Sequence, residues 1–214
     1  MNGIPFLCAA YLIGSIPTGL WMGRLLKGVD VRRFGSGNVG ATNVYRVVGK
    51  LPGLMVLLVD AAKGWVPVVL LAGPACGGGE GLGPESLKIL LGMAAVAGHI
   101  WNPFLQFRGG RGVATGLGVL FALDPRVGAC SLGVWLTTLV LTRYVSVASI
   151  TAAFCAPFLI LFLGHSTLWV LGGVAVSLAI IARHRPNLLR LLQGEEHRIS
   201  IGRSAKNPPE DPLR

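Results

Sequence analysis

Charge is scarce in this sequence. Asp, Glu, Lys and Arg make up 13% of its 214 residues, against roughly 25% in ordinary soluble domains. So few charges cannot clothe a surface bathed in water, and most of the exterior must face lipid. Acid is scarcer than base: nine carboxylates stand against nineteen Lys and Arg, a net charge of +10. Cysteine is rare too. Cys8, Cys76, Cys130 and Cys155 lie scattered through or beside apolar stretches, and without C-x-x-C or comparable spacing neither a disulfide framework nor a zinc site is supported. His99 and His184 lack a matching set of carboxylates or cysteines, so no metal and no cofactor is expected. A basic segment ahead of the first apolar run is also missing, so Ile4–Leu26 reads as a retained span and not a cleaved signal.

Hydrophobic residues (52%) and glycine (31 residues) are what the chain has in abundance, and membrane helices use glycine for close backbone approach. About 20 apolar residues cross the hydrocarbon. The stretches that qualify are Ile4–Leu26, Leu51–Cys76, Ser86–Leu105, Arg126–Thr142, Val145–Gly164 and Thr167–Arg183. Gly112–Leu123 is shorter and reads either as a short span or as a re-entrant helix. Charge decides between the two. With seven spans and the N-terminus outside, 16 of the 19 basic residues fall on the inner side, as loop Lys and Arg do in membrane proteins. With six, Arg143 and the basic C-terminal stretch would sit on opposite faces. The expected fold is therefore an all-α polytopic membrane protein with seven transmembrane helices, N-terminus outside and C-terminus cytoplasmic. Residues 1–199 are expected to form one membrane domain, and the polar, proline-bearing tail 200–214 to be disordered. The positive-inside rule accounts for the basic charge, so nucleic acid is not expected as a partner.

Three polar constellations interrupt the apolar pattern. The first runs Gly35-Ser36-Gly37-Asn38-Val39-Gly40-Ala41-Thr42-Asn43-Val44-Tyr45-Arg46. Successive glycines let amide N–H groups converge on an anion. Ser36 and Thr42 add hydroxyls, and Arg46 adds a guanidinium fork suited to phosphate. A plain flexible loop would also be glycine-rich, but it does not call for interleaved Ser, Asn, Thr and Arg, so anion binding is the favoured reading. Gly35–Gly40 satisfies G-x-G-x-x-G, and Asp60 follows about 20 residues on, as in a dinucleotide fingerprint. Yet Asp60 lies in a membrane-length apolar run, and no strand–helix–strand unit surrounds the glycines. The phosphate loop of NTPases fails as well, because Ala41 stands where lysine is required.

The second constellation is Gly98-His99-Ile100-Trp101-Asn102-Pro103 followed by Phe107-Arg108-Gly109-Gly110-Arg111-Gly112-Val113-Ala114-Thr115. Arg108 and Arg111 flank a Gly-Gly pair whose loop opens into an apolar helix, which places bare N–H groups beside two guanidiniums. A positive-inside loop explains the arginines but not the glycines, so phosphate binding is favoured. The third is His184-Arg185-Pro186-Asn187-Leu188-Leu189-Arg190 with Gly194-Glu195-Glu196 beyond it. His184, Asn187 and Arg190 recur every three residues and can line one side of a helix just inside the membrane. An amphipathic juxtamembrane helix with Leu in lipid and Arg on headgroups fits this segment equally well. Within the spans, Asp60 and Lys63 lie three apart and read as a structural pair. Ser146 and Ser149, at the inner end of a span, suit either headgroup hydrogen bonding or helix packing. His165 and His197 read as incidental.

Together these segments resemble the PlsY family, the bacterial glycerol-3-phosphate acyltransferases that use acyl phosphate as donor. The similarity runs from about Tyr11 to Ile199 and rests on G-S-G-N-V-G-A-T-N-V-x-R, G-H-x-x-x-P-F-x-x-F-[KR]-G-G-[KR]-G-V-A-T and H-R-x-N-x-x-R-L-x-x-G-x-E. One departure is plain: Arg108 and Arg111 stand where the family usually has lysines, exchanging a compact ammonium for a broad fork. The resemblance implies transfer of a long acyl chain from acyl phosphate to the 1-hydroxyl of glycerol 3-phosphate. The products are lysophosphatidic acid and inorganic phosphate, the first step of phospholipid synthesis. It implies an enzyme in the bacterial cytoplasmic (inner) membrane, with its active site at the cytoplasmic face and membrane lipid as its surroundings. Ser36, Arg46, His184 and Asn187 are then the catalytic candidates. Gly35, Gly37, Asn38, Gly40, Thr42, Asn43, Arg108, Gly109, Gly110, Arg111 and Ser149 are the substrate-binding ones. The proton acceptor is left open between His184 and a substrate phosphate oxygen. An anion transporter and a non-catalytic lipid-binding scaffold are the competing readings. A transporter predicts polar residues along a path to the far face, and the outer ends of the spans are almost bare of them.

Overall fold

The computed structural model of the chain describes residues 3–73 and 83–199. Among these residues all regular structure is helical. The first expected span is divided into α1 (Ile4–Gly14) and α2 (Thr18–Lys27). Pro17 has no amide proton to continue the ladder, and the Ser15 hydroxyl donates to the carbonyls of Tyr11 (2.7 Å) and Gly98 (3.1 Å). The pair still makes one apolar unit of 24 residues, Ile4–Lys27, long enough to cross a membrane. The glycine-rich stretch then leads through α3 (Ala41–Val47) into α4 (Lys50–Val66). A π-helical stretch, Pro67–Leu71, extends α4 where Pro67 removes a donor. The expected end of this span at Cys76 lies outside the described residues, as does the tail 200–214.

Helix α5 (Pro84–Ile100) stops short of the expected Leu105. The residue before a proline avoids helical backbone, and Asn102, ahead of Pro103, is extended and caps a short turn by accepting from the Phe104 amide at 3.0 Å. Then come α6 (Val113–Leu123), α7 (Pro125–Thr142), α8 (Val145–Phe162), α9 (Thr167–Arg183) and α10 (Arg185–Leu192). By length and composition Ile4–Lys27, Lys50–Leu71 and Val145–Phe162 suffice to span alone, and α9 with α10, bent by 50°, forms a fourth unit if read as one span. Helix α6, at 11 residues, rises only about 16 Å, roughly half the hydrocarbon thickness.

Helix α6 packs on α4, α1 packs on α5, and α8 lies between α7 and α9. Small residues make the closest approaches, as expected where lipid supplies no hydrophobic drive between helices. Gly64 and Gly118 form a reciprocal pair: each lies against a carbonyl of the other helix (Thr115 and Ala61), where a Cβ would overlap the oxygen. Large apolar side chains such as Leu58, Leu141, Phe162 and Leu178 point outward instead of into a core. The chain is a multi-pass membrane protein whose interior is packed by small residues and whose exterior is hydrocarbon.

Candidate active site

One cavity of about 380 Å³ gathers residues from all three constellations. Its polar end takes Ser36, Thr42 and Arg46 from the glycine-rich segment, Arg111 from the loop before α6, and His184 and Asn187 from the α9–α10 bend. The remainder is mostly apolar, with Asp60, His99 and the hydroxyls of Ser131, Ser146 and Ser177 among its lining, and it runs between α4, α5, α6, α7, α8 and α9 as far as Ile89, Ile160 and Trp169. The cavity is therefore amphiphilic, with a charged mouth and an apolar slot.

The glycine-rich segment is shaped by Asn43. Its buried amide group donates to the carbonyls of Val31 (2.8 Å), Phe34 (3.2 Å) and Asn38 (2.8 Å) while its Oδ1 accepts from the Ser36 amide (2.9 Å). Positive φ at Gly35 (58°) and Gly37 (70°) lets the chain wrap around it. Asn43 thus organises the loop with both of its amide protons spent, although it also lines the cavity. The Asn38 side chain accepts from the Gly40 amide at 3.2 Å, which ties up one expected donor. Gly37 donates to the Phe34 carbonyl at 3.1 Å. Gly35 and Gly37 shape the turn without lining the cavity, whereas Asn38 and Gly40 do line it. The amides of Ala41 and Thr42 open α3, where helix geometry leaves them unpaired.

The second constellation divides. The amides of Gly109 and Gly110 donate to the carbonyls of Ile100 (3.1 Å) and His99 (3.0 Å), orphaned at the end of α5. Their own carbonyls accept from Arg183 at 3.0 and 3.4 Å. The expectation that these two amides cradle a phosphate is corrected: they staple the loop between α5 and α9. Arg108, unlike Arg111, is exposed and lies outside the cavity lining. Left-handed backbone at Gln106 and Phe107 shapes the turn that leads to it. Arg111 lines the cavity, and Gly112, at φ 84°, turns the chain behind it into α6.

At the third constellation Glu196 is the residue that the sequence reading left without a role. Its side chain, 7% exposed, accepts from Asn187 Nδ2 at 2.6 Å and from Arg190 Nε at 2.9 Å. Burial alone would raise this carboxyl. The hydrogen bonds from Asn187 and Arg190 prevail and hold it below the ordinary carboxylate range, with Ser146 facing it but lacking a hydrogen bond of good geometry. Past it, Ile199 N donates to the Arg143 carbonyl (2.9 Å), and Arg198 donates to the Tyr144 hydroxyl (2.8 Å). Residues 195–199 form a strap from α10 to the α7–α8 junction, with Glu196 turned inward. The local signals in the sequence are Gly194, whose turn (φ 75°) precedes the strap, and the closing G-x-E of the third motif, whose last residue is Glu196.

The Asn187 Oδ1 and one terminal nitrogen of Arg190 are buried with no partner among the described residues. Arg46 and Arg111 form no salt bridge among those residues either. Burial lowers both guanidiniums, Arg111 to about 10, with Glu196 acting in the opposite sense, so both are charged near neutrality. His184 is buried, and its Nδ1 lies 2.8 Å from the Ile180 carbonyl. A carbonyl only accepts, so the ring proton sits on Nδ1 and the Nε2 lone pair is free. Burial, with the Arg111 charge, pushes this imidazole down to about 4 against the Ile180 hydrogen bond, so it is neutral. Ser149 lines the cavity but donates to the Val145 carbonyl (2.8 Å) and accepts from Trp135 Nε1 (3.2 Å).

Such a fold and cavity define a class: a membrane-embedded protein that receives an amphiphile with an anionic headgroup. The sequence profile described as glycerol-3-phosphate acyltransferase matches residues 4–194. Glycerol-3-phosphate acyltransferase 2 of Moorella thermoacetica is 47% identical over 193 residues, covering 90% of this chain and 95% of that one. A crystal structure of PlsY (YgiH), an integral membrane glycerol 3-phosphate acyltransferase, in its glycerol 3-phosphate form is 40% identical. It superposes with a TM-score of 0.85 over 92% of this chain and 96% of that one. The lysophosphatidic acid form of that protein superposes at 0.82, covering 92% of this chain and 95% of that one. The chain belongs to the PlsY family of glycerol-3-phosphate acyltransferases.

Proposed function

We propose that this protein transfers a long acyl chain from acyl phosphate to the 1-hydroxyl of glycerol 3-phosphate at the cytoplasmic face of a bacterial inner membrane. The observation that carries the reading is the pair of half-buried guanidiniums, Arg46 and Arg111, which face a largely apolar slot with no salt bridge among the described residues. Two phosphates meet here in the proposed reaction, and two such cations supply the charge to hold them. Arg46, with Ser36 and Thr42, holds one phosphate, and Arg111 holds the other. Asn187 Oδ1 accepts from a glycerol hydroxyl. Ser149 packs the slot beside the reacting carbonyl.

The hydroxyl oxygen of glycerol 3-phosphate attacks the acyl carbonyl carbon. An ester bond forms, the carbon–oxygen bond to phosphate breaks, and inorganic phosphate leaves. A base with a pKa of about 4 holds a proton poorly at neutral pH. A phosphate whose second pKa is about 6 does better. His184 therefore orients the nucleophile through its free Nε2, and the proton passes to a phosphate oxygen of the substrate. With a good leaving group already in place, positioning and charge stabilisation supply most of the rate.

The inner-face placement is supported by charge: 16 of the 19 basic residues fall inside when the chain crosses seven times from an outer N-terminus. That count takes α1–α2, α4, α5, α7, α8 and α9 as crossings, with the short α6 and the Arg111–Gly112 turn ahead of it as the seventh. The strap, ending on Arg143, supports a single domain through residue 199. Cysteines placed at Ser36, Arg111 and Asn187 are expected to react only with reagents that enter the cytoplasm, and labelling from outside would overturn this topology. The activity test is purified protein with palmitoyl phosphate and glycerol 3-phosphate, read as lysophosphatidic acid and phosphate. Product from acyl-CoA or acyl carrier protein, but not from acyl phosphate, would overturn the donor. An anion transporter is disfavoured by Trp169, which closes the far end of the slot.

A further inference from the structure

The apolar slot ends on a built floor. Trp169, 5% exposed, lies in the first turn of α9 with its amide donating to the Ser166 hydroxyl at 3.3 Å. Its ring meets the His165 imidazole edge-on, with centroids 3.8 Å apart. His165 Nε2 in turn lies 3.1 Å from Asp124 Oδ2, and Asp124 is held by the Arg126 guanidinium at 2.6 Å and the Arg126 amide at 2.7 Å. A tryptophan in the first turn of a membrane helix needs no such support merely to sit at the interface. Here His165, in the turn that leads into α9, and Asp124, in the α6–α7 connection, brace the indole without lining the cavity themselves. Ile160 and Ile89 close the floor on either side, and both are almost fully buried.

The floor lies at a definite depth. Trp169 and His184, the latter capping α9 at the charged mouth, are fifteen residue steps apart, which at about 1.5 Å per residue is roughly 22 Å. Carbon–carbon bonds of about 1.5 Å in a tetrahedral zigzag advance about 1.25 Å per carbon, so this depth takes a straight chain of about sixteen to eighteen carbons. A longer chain must bend out toward lipid or displace the indole, and a shorter one leaves the floor uncovered.

We propose that Trp169, braced by His165 and Asp124, is the stop that sets the longest acyl chain this protein accepts. The proposal rests on the acyltransferase reading above and adds to it the residue that selects among chain lengths. The chain arrives from lipid and not from water, so its methylenes gain little merely by entering the slot. A closed apolar pocket discriminates one methylene too many by about tenfold or more, so a stop at a fixed depth imposes a steep cut-off.

The test is competition. Purified protein receives glycerol 3-phosphate and an equimolar mixture of lauroyl to behenoyl phosphates, and the chain profile of the lysophosphatidic acid is read by mass spectrometry. If acyl phosphate gives no product, the same profile is read with whichever acyl donor supports turnover. Wild type is expected to fall off beyond stearoyl. Trp169→Ala is expected to raise the arachidoyl-to-palmitoyl ratio about tenfold or more, and His165→Ala to move it the same way by less. KM for glycerol 3-phosphate, held at the other end, stays within about twofold. If Trp169→Ala does not fold, Ile160→Ala opens the same floor and is expected to shift the profile in the same direction. Folded, active variants with an unchanged chain profile would overturn the stop while leaving the acyltransferase reading intact. A wild type that makes no lysophosphatidic acid from any acyl donor removes both.

Discussion

Two groups of charge are withdrawn from water, Asp60 with Lys63 fully and Arg46 with Arg111 in part, and they are built on opposite plans. Asp60 and Lys63, one turn apart on α4 and each 4% exposed at the side chain, are paired at 2.7 Å. Lys63 also donates to the Ile16 carbonyl freed by the α1–α2 break (2.8 Å) and lies 3.3 Å from His99 Nδ1, while Thr18 donates to Asp60. Every partner is protein. Arg46 and Arg111, by contrast, have been taken from water without a salt bridge among the described residues. Desolvating a cation without compensation costs free energy that a fold selected only for stability would avoid. The difference separates charge that closes a structure from charge that awaits a ligand.

The contrast can be broken from either side. The largest effect is expected at the closed pair. Asp60→Ala leaves Lys63 buried and unpaired, and removing one partner of such a pair costs about 3–5 kcal/mol. Thermal unfolding in detergent should show the loss, and Asp60→Leu with Lys63→Met should recover most of it. Failure of the double variant to recover would mean that the pair does more than close the fold.

At the open pair the signs reverse. Arg111→Ala removes a donor on which the proposed reaction relies, and such losses lower turnover by about 10²–10³-fold. The folded protein, relieved of a half-buried cation, should melt at the same temperature or higher. Phosphate release and thermal unfolding on the same sample decide the matter: a variant that loses both activity and stability would place Arg111 with the structural charges.

Much of this arrangement is legible in the sequence, and what is not has a physical reason. Apolar spans and the glycine- and arginine-bearing motifs between them show because lipid contact and charge are written in composition, one segment at a time. Within each motif the split between binding and bracing does not show. Asn43 and Thr42 are neighbours in the glycine-rich segment, yet Asn43 is spent on the Val31, Phe34 and Asn38 carbonyls. Gly109 and Gly110 look like an anion nest until the end of α5 supplies carbonyls for their amides. Glu196 and His165 were invisible for a different reason. Each acts through partners fixed by tertiary packing: the strap reaches Arg143 across 56 residues, and His165 meets Asp124 across 41.

Acid provides a smaller, graded test of the same site. The unfolded His184 imidazole takes up a proton as pH falls below about 6.5, while the folded one holds out to about 4. In that window the unfolded state binds more protons, so stability declines as pH drops, by on the order of 2 kcal/mol. Glu196 adds in the same direction at lower pH: its folded pKa is depressed, so its contribution is lost as pH falls through that value. Unfolding midpoints should therefore fall between pH 6.5 and 4, and His184→Gln should flatten the upper part of that decline. Because His184 stays neutral through this range, the pH profile of kcat/KM in free enzyme should show no inflection from it near 6.5.

The smallest expected effect sharpens the comparison most within one motif. Arg108 and Arg111 are three residues apart, share a glycine pair and carry the same charge, yet only Arg111 enters the cavity. Surface substitutions away from special features change free energies by about 0.5 kcal/mol or less, roughly a factor of two. Arg108→Ala should therefore leave kcat and the KM for glycerol 3-phosphate within about threefold of wild type, against a loss of two to three orders of magnitude for Arg111→Ala. Raising ionic strength should narrow what gap Arg108→Ala does show, since an exposed charge acts on an anionic substrate only through screened, longer-range attraction. A loss at Arg108 as large as at Arg111, and insensitive to salt, would mean that this loop closes over the substrate and carries the exposed guanidinium into the mouth.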